Sequence, residues 1–543
     1  MDTLIQQNDS PFQPAKRRAI FVGVFALLSL AAAFVILAYR NIYDDELVTF
    51  ALIHFPLREL WQRANEFDVH PPGMYALGRL CFLAFGSERW MCVVPLLVWT
   101  AGACVFAWSA LPRIRTLWGG VIFMLLTFFH PQVLMWTNSN RWYPYWSGLA
   151  LAILGLAYFP RDSASADAPP RRRTMIFIGC ILGGMAYLNY LTGVFAFALT
   201  LGFLVRFGIS RTAIGRIAIA GLVAFLIFLP QLSVFLNVHL QNTELTQRSS
   251  MGIATLRLAY ALSVGEALMP WHPAALLVGA LILIPSYYFF CRSLRKERAR
   301  EVVACAAFVL FVLIIAIISG LGGSPRSFVF LTPLMAFMLA LGAEQVSGKS
   351  WRAVSSVLIA LWLSVGAFHL VARTGTAKNS LNDHTDEWVD KIAELSAGRP
   401  ALVVSHNPAI AYEINRRRIP GDSQPLTVLS AYPDWVHNLD RGIQGTPQLY
   451  ATVFVVETYI GALRKRNAFV RDYIDSAKSS INLPTTLRMG EDPDAPMKSK
   501  LSGEDLPADR FILTYGPTTK TDWSALIAKA QKCLRPEEAE GED

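Results

Sequence analysis

Residues 16–46 read KRRAIFVGVFALLSLAAAFVILAYRNIYDDE, and this stretch decides how the rest of the chain is read. Lys16, Arg17 and Arg18 precede a run without charge over 19–39, and Asp44, Asp45 and Glu46 follow it. A helix crosses a bilayer with about 20 apolar residues, whereas the apolar core of a cleavable signal peptide is only about 7–15 long. The run is therefore read as a retained signal anchor, its basic end inside the cell and its three carboxylates opening on the outer face.

Working outward, comparable runs occur near 90–111, 117–136, 144–160, 174–189, 193–209, 217–236, 273–290, 302–320, 328–345 and 353–372. With the first, this makes about eleven membrane-spanning helices. Alternating them from a cytoplasmic N-terminus puts 19 of the 28 basic residues of 1–372 on inner segments. Examples are Arg171, Arg172 and Arg173 after the fourth span and the cluster from Arg292 to Arg300 after the eighth. The short outer loops carry little beyond Arg141 and Arg326. This is the bias expected of cytoplasmic loops, and it places the C-terminus outside.

The alternation holds only if the apolar run over 72–86 does not cross, and at about 15 residues it is short of the ~20 required. Residues 40–89 are therefore assigned to the outer face as interfacial helices. Over 46–63 the apolar residues Leu47, Val48, Phe50, Ala51, Phe55, Leu57 and Trp61 alternate with Arg58, Glu59, Gln62 and Arg63, as an amphipathic helix would. A second long outer loop covers 237–272.

The composition changes near Arg373. Residues 1–372 hold 28 basic and 16 acidic residues, a net +12, whereas 373–543 hold 21 and 24, a net −3. The whole chain is 53% hydrophobic and 16% charged, against about 25% charged for soluble domains. Its basic balance belongs to membrane loops, which argues against nucleic acid as a partner. Residues 373–543 are expected to form a separate soluble α/β domain. ALVVS over 401–405, residues 427–430 and residues 453–457 read as buried strands, and a helix is expected from Asn407-Pro408. Residues 490–508 read as loop and 536–543 as an acidic tail. Six of the seven cysteines lie in the membrane part without metal-ligand spacing. Cys533 alone in the soluble part leaves no internal disulfide there.

The acids at the mouth of the first span are the chemical signal. An acidic cluster at a membrane surface is often only solvated. Carboxylates beside a membrane cavity are costly to keep charged, however, and partial burial under interfacial helices would raise their basicity. Asp68-Val69-His70-Pro71-Pro72 follows in the same loop.

The order of first span, Asp45-Glu46, amphipathic helix, DVHPP and short apolar helix resembles the GT-C glycosyltransferases. Within them it is most similar to the protein O-mannosyltransferase and aminoarabinose-transferase group. Ser87-Glu88, Asn140-Arg141-Trp142-Tyr143 and Ser324-Pro325-Arg326 fit the same pattern, and the resemblance extends over 19–345. It implies an inverting enzyme that takes a sugar from a polyprenyl-phosphate donor. The acceptor would be a hydroxyl of an envelope glycan, lipid or protein on the outer face of the cytoplasmic (inner) membrane.

The resemblance also implies roles. The leaving lipid phosphate needs no general acid but does need positive charge nearby, and the acceptor hydroxyl needs a general base. Asp45 aligns with the family's catalytic Asp; Glu46 would orient the acceptor or hold Asp45, and Asp44 is the fallback base. Arg326 and Arg141, with Tyr143, are the candidate phosphate contacts, against a reading as interfacial snorkelling arginines. His70 contacts donor or acceptor, or is a structural residue before the Pro-Pro turn. Asp68 is a further candidate acid, and Arg79, Glu244, Arg248 and Glu266 are secondary candidates.

The chain also departs from the pattern. Ser139 stands two residues before Arg141, where relatives often carry a carboxylate, and Cys92 stands where an Arg is expected. The first departure argues against a two-carboxylate metal site. No cofactor is required, and a divalent cation has no clear ligand set. Two other classes compete: a transporter or flippase for a lipid-linked sugar, and a non-catalytic envelope assembly protein. Ionisable groups in mid-span and interrupted helices would mark a transporter, whereas this chain keeps its acids at the outer mouth.

Overall fold

The computed structural model describes residues 10–12, 14–39, 44–67, 70–86, 91–160, 168–236, 251–265, 273–293, 299–319, 325–345, 349–372, 385–405, 410, 413–414, 426–430, 452–458, 483–491 and 509–517. Two compact units divide the chain. Met1–Arg40 and Pro56–Ala377 form the first, and Asn41–Phe55 and Lys378–Asp543 the second.

The described helices begin with α1 (Ala15–Tyr39), α2 (Asp44–Ile53), α3 (Leu57–Phe67), α4 (Gly73–Phe85) and α5 (Val93–Ala110). They continue with α6 (Leu117–Phe129), α7 (Pro131–Trp136), α8 (Trp142–Tyr158), α9 (Arg172–Ala186), α10 (Thr192–Phe207) and α11 (Arg211–Val234). Then come α12 (Met251–Val264), α13 (Pro273–Ser293), α14 (Ala299–Ile318), α15 (Leu331–Glu344), α16 (Lys349–Ala372) and α17 (Thr385–Ser396). All but α2 and α17 belong to the first unit.

Helices stand at all eleven expected spans. Among the described residues, five segments are long and apolar enough to cross a membrane: Ala15–Leu37, Val93–Arg113, Leu117–Trp136, Arg211–Val234 and Arg300–Ile318. The chain is a multi-pass helical membrane protein.

Proline accounts for two differences from the expected helices. The run over 117–136 is broken between α6 and α7, because Pro131 brings no N–H and disfavours helix at the residue before it. His130 instead caps α7, its Nδ1 accepting from the Gln132 backbone N–H at 3.2 Å. The single amphipathic helix expected over 46–63 is likewise two, α2 and α3, separated before Pro56. Helix α3 buries Leu60 and Ala64, one turn apart, and leaves Leu57 exposed. Trp61 packs at 5.9 Å from Tyr187, and Asn65 Oδ1 accepts from Gln231 Nε2 at 2.8 Å, so α3 lies on the α9–α11 side of the bundle.

Helix α4 is 13 residues long and ends at Gly86, whose φ of 67° suits glycine. At 1.5 Å per residue it reaches about 20 Å, short of the ~30 Å hydrocarbon core. Helix α12 is new: it lies inside what reads as the second long outer loop.

Small residues set the tightest helix pairs. A Cβ on Gly102 would fall on the Gly148 carbonyl, and one on Gly148 would meet the backbone of Val98 and Trp99, so α5 and α8 touch backbone to backbone. Gly342 of α15 abuts the Phe289 carbonyl of α13 in the same way. One carboxylate ties three segments together. Glu301 Oε1 lies 2.9 Å from Arg206 Nη2 and 3.2 Å from Arg113 Nη1, with Glu301 and Arg206 both buried. Removal of Glu301 would leave Arg206 buried without this counter-charge.

The second unit contains a five-stranded sheet, β1 (Ala401–Ser405), β2 (Leu426–Ser430), β3 (Thr452–Thr458), β4 (Thr485–Glu491) and β5 (Asp509–Pro517), in the order β2-β1-β3-β5-β4. Strands β2, β1 and β3 are parallel; β5 runs antiparallel to β3 and β4 antiparallel to β5. The first three are the strands read from the sequence. β1 is buried along its whole length, and Val389 and Ile392 of α17 join Ile410, Ile414, Phe454 and Leu513 in one core. Of the helix expected after Asn407, only Ile410, Glu413 and Ile414 are among the described residues.

Candidate functional site

The site is built on the link between α7 and α8. Thr137, Asn138, Ser139, Asn140 and Arg141 are all buried, which is unusual for a polar loop. Part of the reason is local capping. Thr137 Oγ1 donates to the Val133 carbonyl at 2.8 Å and Asn138 Nδ2 to the Leu134 carbonyl at 3.1 Å, satisfying acceptors at the end of α7. Arg141 then turns the chain in extended conformation (φ −126°, ψ 176°) as the N-cap of α8, which has no side-chain cap. The N-terminal, positive end of α8 thus starts at a buried arginine.

Arg326 approaches from far along the chain, on the 3₁₀ turn Pro325–Phe328. Its guanidinium carbon lies 5.5 Å from the ring centre of Trp136 and 5.2 Å from that of Tyr143. The two rings are themselves 5.8 Å apart at 65°. A guanidinium near aromatic faces gains about 0.5–2 kcal/mol. The rings are buried while Arg326 is only half-buried. Arg326 is therefore backed by two buried rings, while the residue keeps part of its surface exposed.

His70 closes the group. Its ring lies 6.0 Å from Trp142, which is 4.5 Å from Tyr143. The buried Pro71 and Pro72 follow it and lead into α4. Three stretches that are distant in sequence, at His70, 136–143 and Arg326, thus meet in one place. Tyr143, with Trp136 on one side and Trp142 on the other, links Arg326 to His70, and Arg141 adjoins Trp142 in the chain.

Asp44 and Asp45 open α2, but their side chains lie outside the described residues. Glu46, in the same first turn, is completely buried. These acids belong to the second unit. Asp68, Ser87, Glu88, Glu244, Arg248, Glu266 and Ser324 lie outside the described residues, and Arg79 is half-buried on α4. Cys92 packs with Ala33, Leu37 and Leu96 in an apolar cluster, a setting where an Arg would be unfavourable. Among the described residues, no three His, Cys, Asp or Glu side chains gather where a metal could sit.

Two residues of this neighbourhood escaped the sequence reading. Trp136 ends a run read as a span, so its aromatic face was absorbed into hydropathy. Gln132 lies in the same run, and a polar amide inside an apolar stretch was the signal available to find it.

No family model and no curated protein matches this chain. Among solved structures, it is similar to ArnT from Cupriavidus metallidurans bound to undecaprenyl phosphate, with a TM-score of 0.55 and 12% identity over 92% of this chain and 98% of that one. It is also similar to the apo state of the same protein, with a TM-score of 0.53 and 13% identity over 91% and 97%. At such identity the likeness establishes the fold. The chain has the GT-C fold that its motifs resemble.

Proposed function

We propose that this chain is an inverting glycosyltransferase that moves a sugar from a polyprenyl-phosphate donor to a hydroxyl of an envelope glycan, lipid or protein. The observation that most supports this is the meeting of His70, Trp142-Tyr143 and Arg326. It occurs in a fold shared with ArnT, whose solved structure holds undecaprenyl phosphate. Arg326, held on two rings, offers a planar fork to phosphate oxygens, and Arg141 adds a second charge at the start of α8. Both act on the leaving group. As the bond from the sugar to the phosphate oxygen breaks, the charge left on the lipid phosphate is what they stabilise. Asp45 takes the proton of the acceptor hydroxyl as that oxygen attacks the anomeric carbon from the opposite face, inverting it. Glu46 orients Asp45 or the acceptor. Adjacent positions of an α-helix are about 100° apart around its axis, so one helix face does not present two neighbouring carboxylates equally.

The reading needs the chemistry on the outer face, with about eleven spans, a cytoplasmic N-terminus and the C-terminal domain outside. A reporter fused after Ser380 should be active only outside the cytoplasm and one at Ala166 only inside. The opposite pattern would place the acids on the wrong side. The direct test is transfer by the purified wild-type protein in lipid, from a polyprenyl-phosphate sugar to an envelope acceptor.

A further inference from the structure

Gln132 is completely buried on α7, the short helix that also carries Trp136. Its Nε2 donates to the carbonyl of Pro325 at 2.9 Å, and its Oε1 has no hydrogen-bond partner among the described residues. An open buried acceptor is unfavourable, and an apolar side chain of similar length would avoid it. What the apolar side chain could not do is hold Pro325, the residue before Arg326.

The spacing gives that bond a purpose. Gln132 and Trp136 are four apart on a helix and so lie on one face. One grips the backbone of the turn at Pro325, and the other receives the Arg326 guanidinium on its ring. The turn is thus fastened to α7 at two points on either side of the Arg326 Cα. A third element closes the arrangement. At Gly265, just beyond α12, a Cβ would lie 2.7 Å from Pro131 Cβ and 3.2 Å from the Gln132 backbone nitrogen. The end of α12 is therefore packed closely against the first turn of α7.

We infer that Gln132 is a positioning residue for Arg326, setting where its guanidinium meets the donor phosphate. The inference rests on the proposed function and adds a residue that never touches substrate. A displacement of the order of 1 Å in a positioning contact lowers rates by about 10²-fold, so the anchoring of a single turn is measurable.

The test is a double-substitution cycle read as affinity for polyprenyl phosphate by purified protein in detergent, with the melting temperature taken alongside. Gln132→Met should weaken binding roughly two- to hundredfold, the usual range for coupled contacts. Its melting temperature should stay within about 3 °C of wild type. In an Arg326→Ala background, Gln132→Met should have no further effect, because there is no guanidinium left to place. Gln132→Leu replaces it in the cycle should the Met variant not be recovered. Unchanged affinity in Gln132→Met, or an equal loss with and without Arg326, would overturn the inference while leaving the donor site standing. Unchanged affinity in Arg326→Ala alone would remove the donor site itself, and the role of Gln132 with it.

Discussion

Asp45→Asn is expected to reduce transfer by about 10²–10⁴-fold, the usual worth of a positioned proton transfer. The substitution keeps the shape of the side chain and removes its basicity. Affinity for the lipid-phosphate donor should persist or rise, because a negative charge facing a phosphate is lost. Initial rates at saturating donor, together with donor binding, separate these effects. Asp44→Asn should be milder. If it is the inactive variant and Asp45→Asn is not, the base is the neighbouring carboxylate of α2. If neither affects transfer at normal protein levels, the base lies elsewhere.

Arg326→Ala should behave differently, because its proposed partner is an anion before the reaction as well as during it. Loss of a hydrogen bond to a charged group costs about 1.5–3 kcal/mol, or roughly ten- to hundredfold in donor affinity. The rate at saturation should fall as well, since charge on the leaving phosphate grows in the transition state. Arg326→Lys should recover only part of the loss. An ammonium keeps the charge but has neither the planar fork nor the stacking on Trp136 and Tyr143. Titration with polyprenyl phosphate and steady-state kinetics on the same preparations would check both parts. A variant that loses rate with unchanged affinity would move Arg326 away from the ground-state phosphate.

The two variants depend on features that were not equally legible in the sequence. Helix positions were legible because a chain in lipid must satisfy its backbone hydrogen bonds internally, so long apolar runs map onto helices. The breaks at Pro131 and Pro56 were written in the residues themselves, yet apolar periodicity runs straight through both. In the second unit, β1 to β3 declared themselves as buried apolar runs. β4 is an edge strand with Thr485, Thr486 and Arg488 exposed, and polar edges carry little hydrophobic signal. β5 holds only three consecutive aliphatic or aromatic residues, Phe511, Ile512 and Leu513, between Arg510 and Thr514, a run too short to stand out as a buried strand.

Within the site, Arg326, Arg141, Tyr143 and His70 were singled out by the motifs that resemble the GT-C glycosyltransferases, and Arg326 and Arg141 also as rare basic residues of the short outer loops. Their meeting could not be read, since it joins residues more than 180 positions apart through Trp136 and Trp142. Gln132 shows the same limit. Its importance comes from Pro325, and nothing in the local sequence announces that partner.

The central claim is that the bond between sugar and lipid phosphate is broken at this site. The most direct measurement follows a polyprenyl-phosphate sugar, labelled in the sugar, in proteoliposomes of the purified wild-type protein with an envelope acceptor. The account predicts that label passes to the acceptor, that free polyprenyl phosphate appears in equal amount, and that Asp45→Asn slows both by the same factor of about 10²–10⁴. Recovery of the intact sugar-lipid on the opposite leaflet, with no free polyprenyl phosphate, would contradict it and make the protein a transporter.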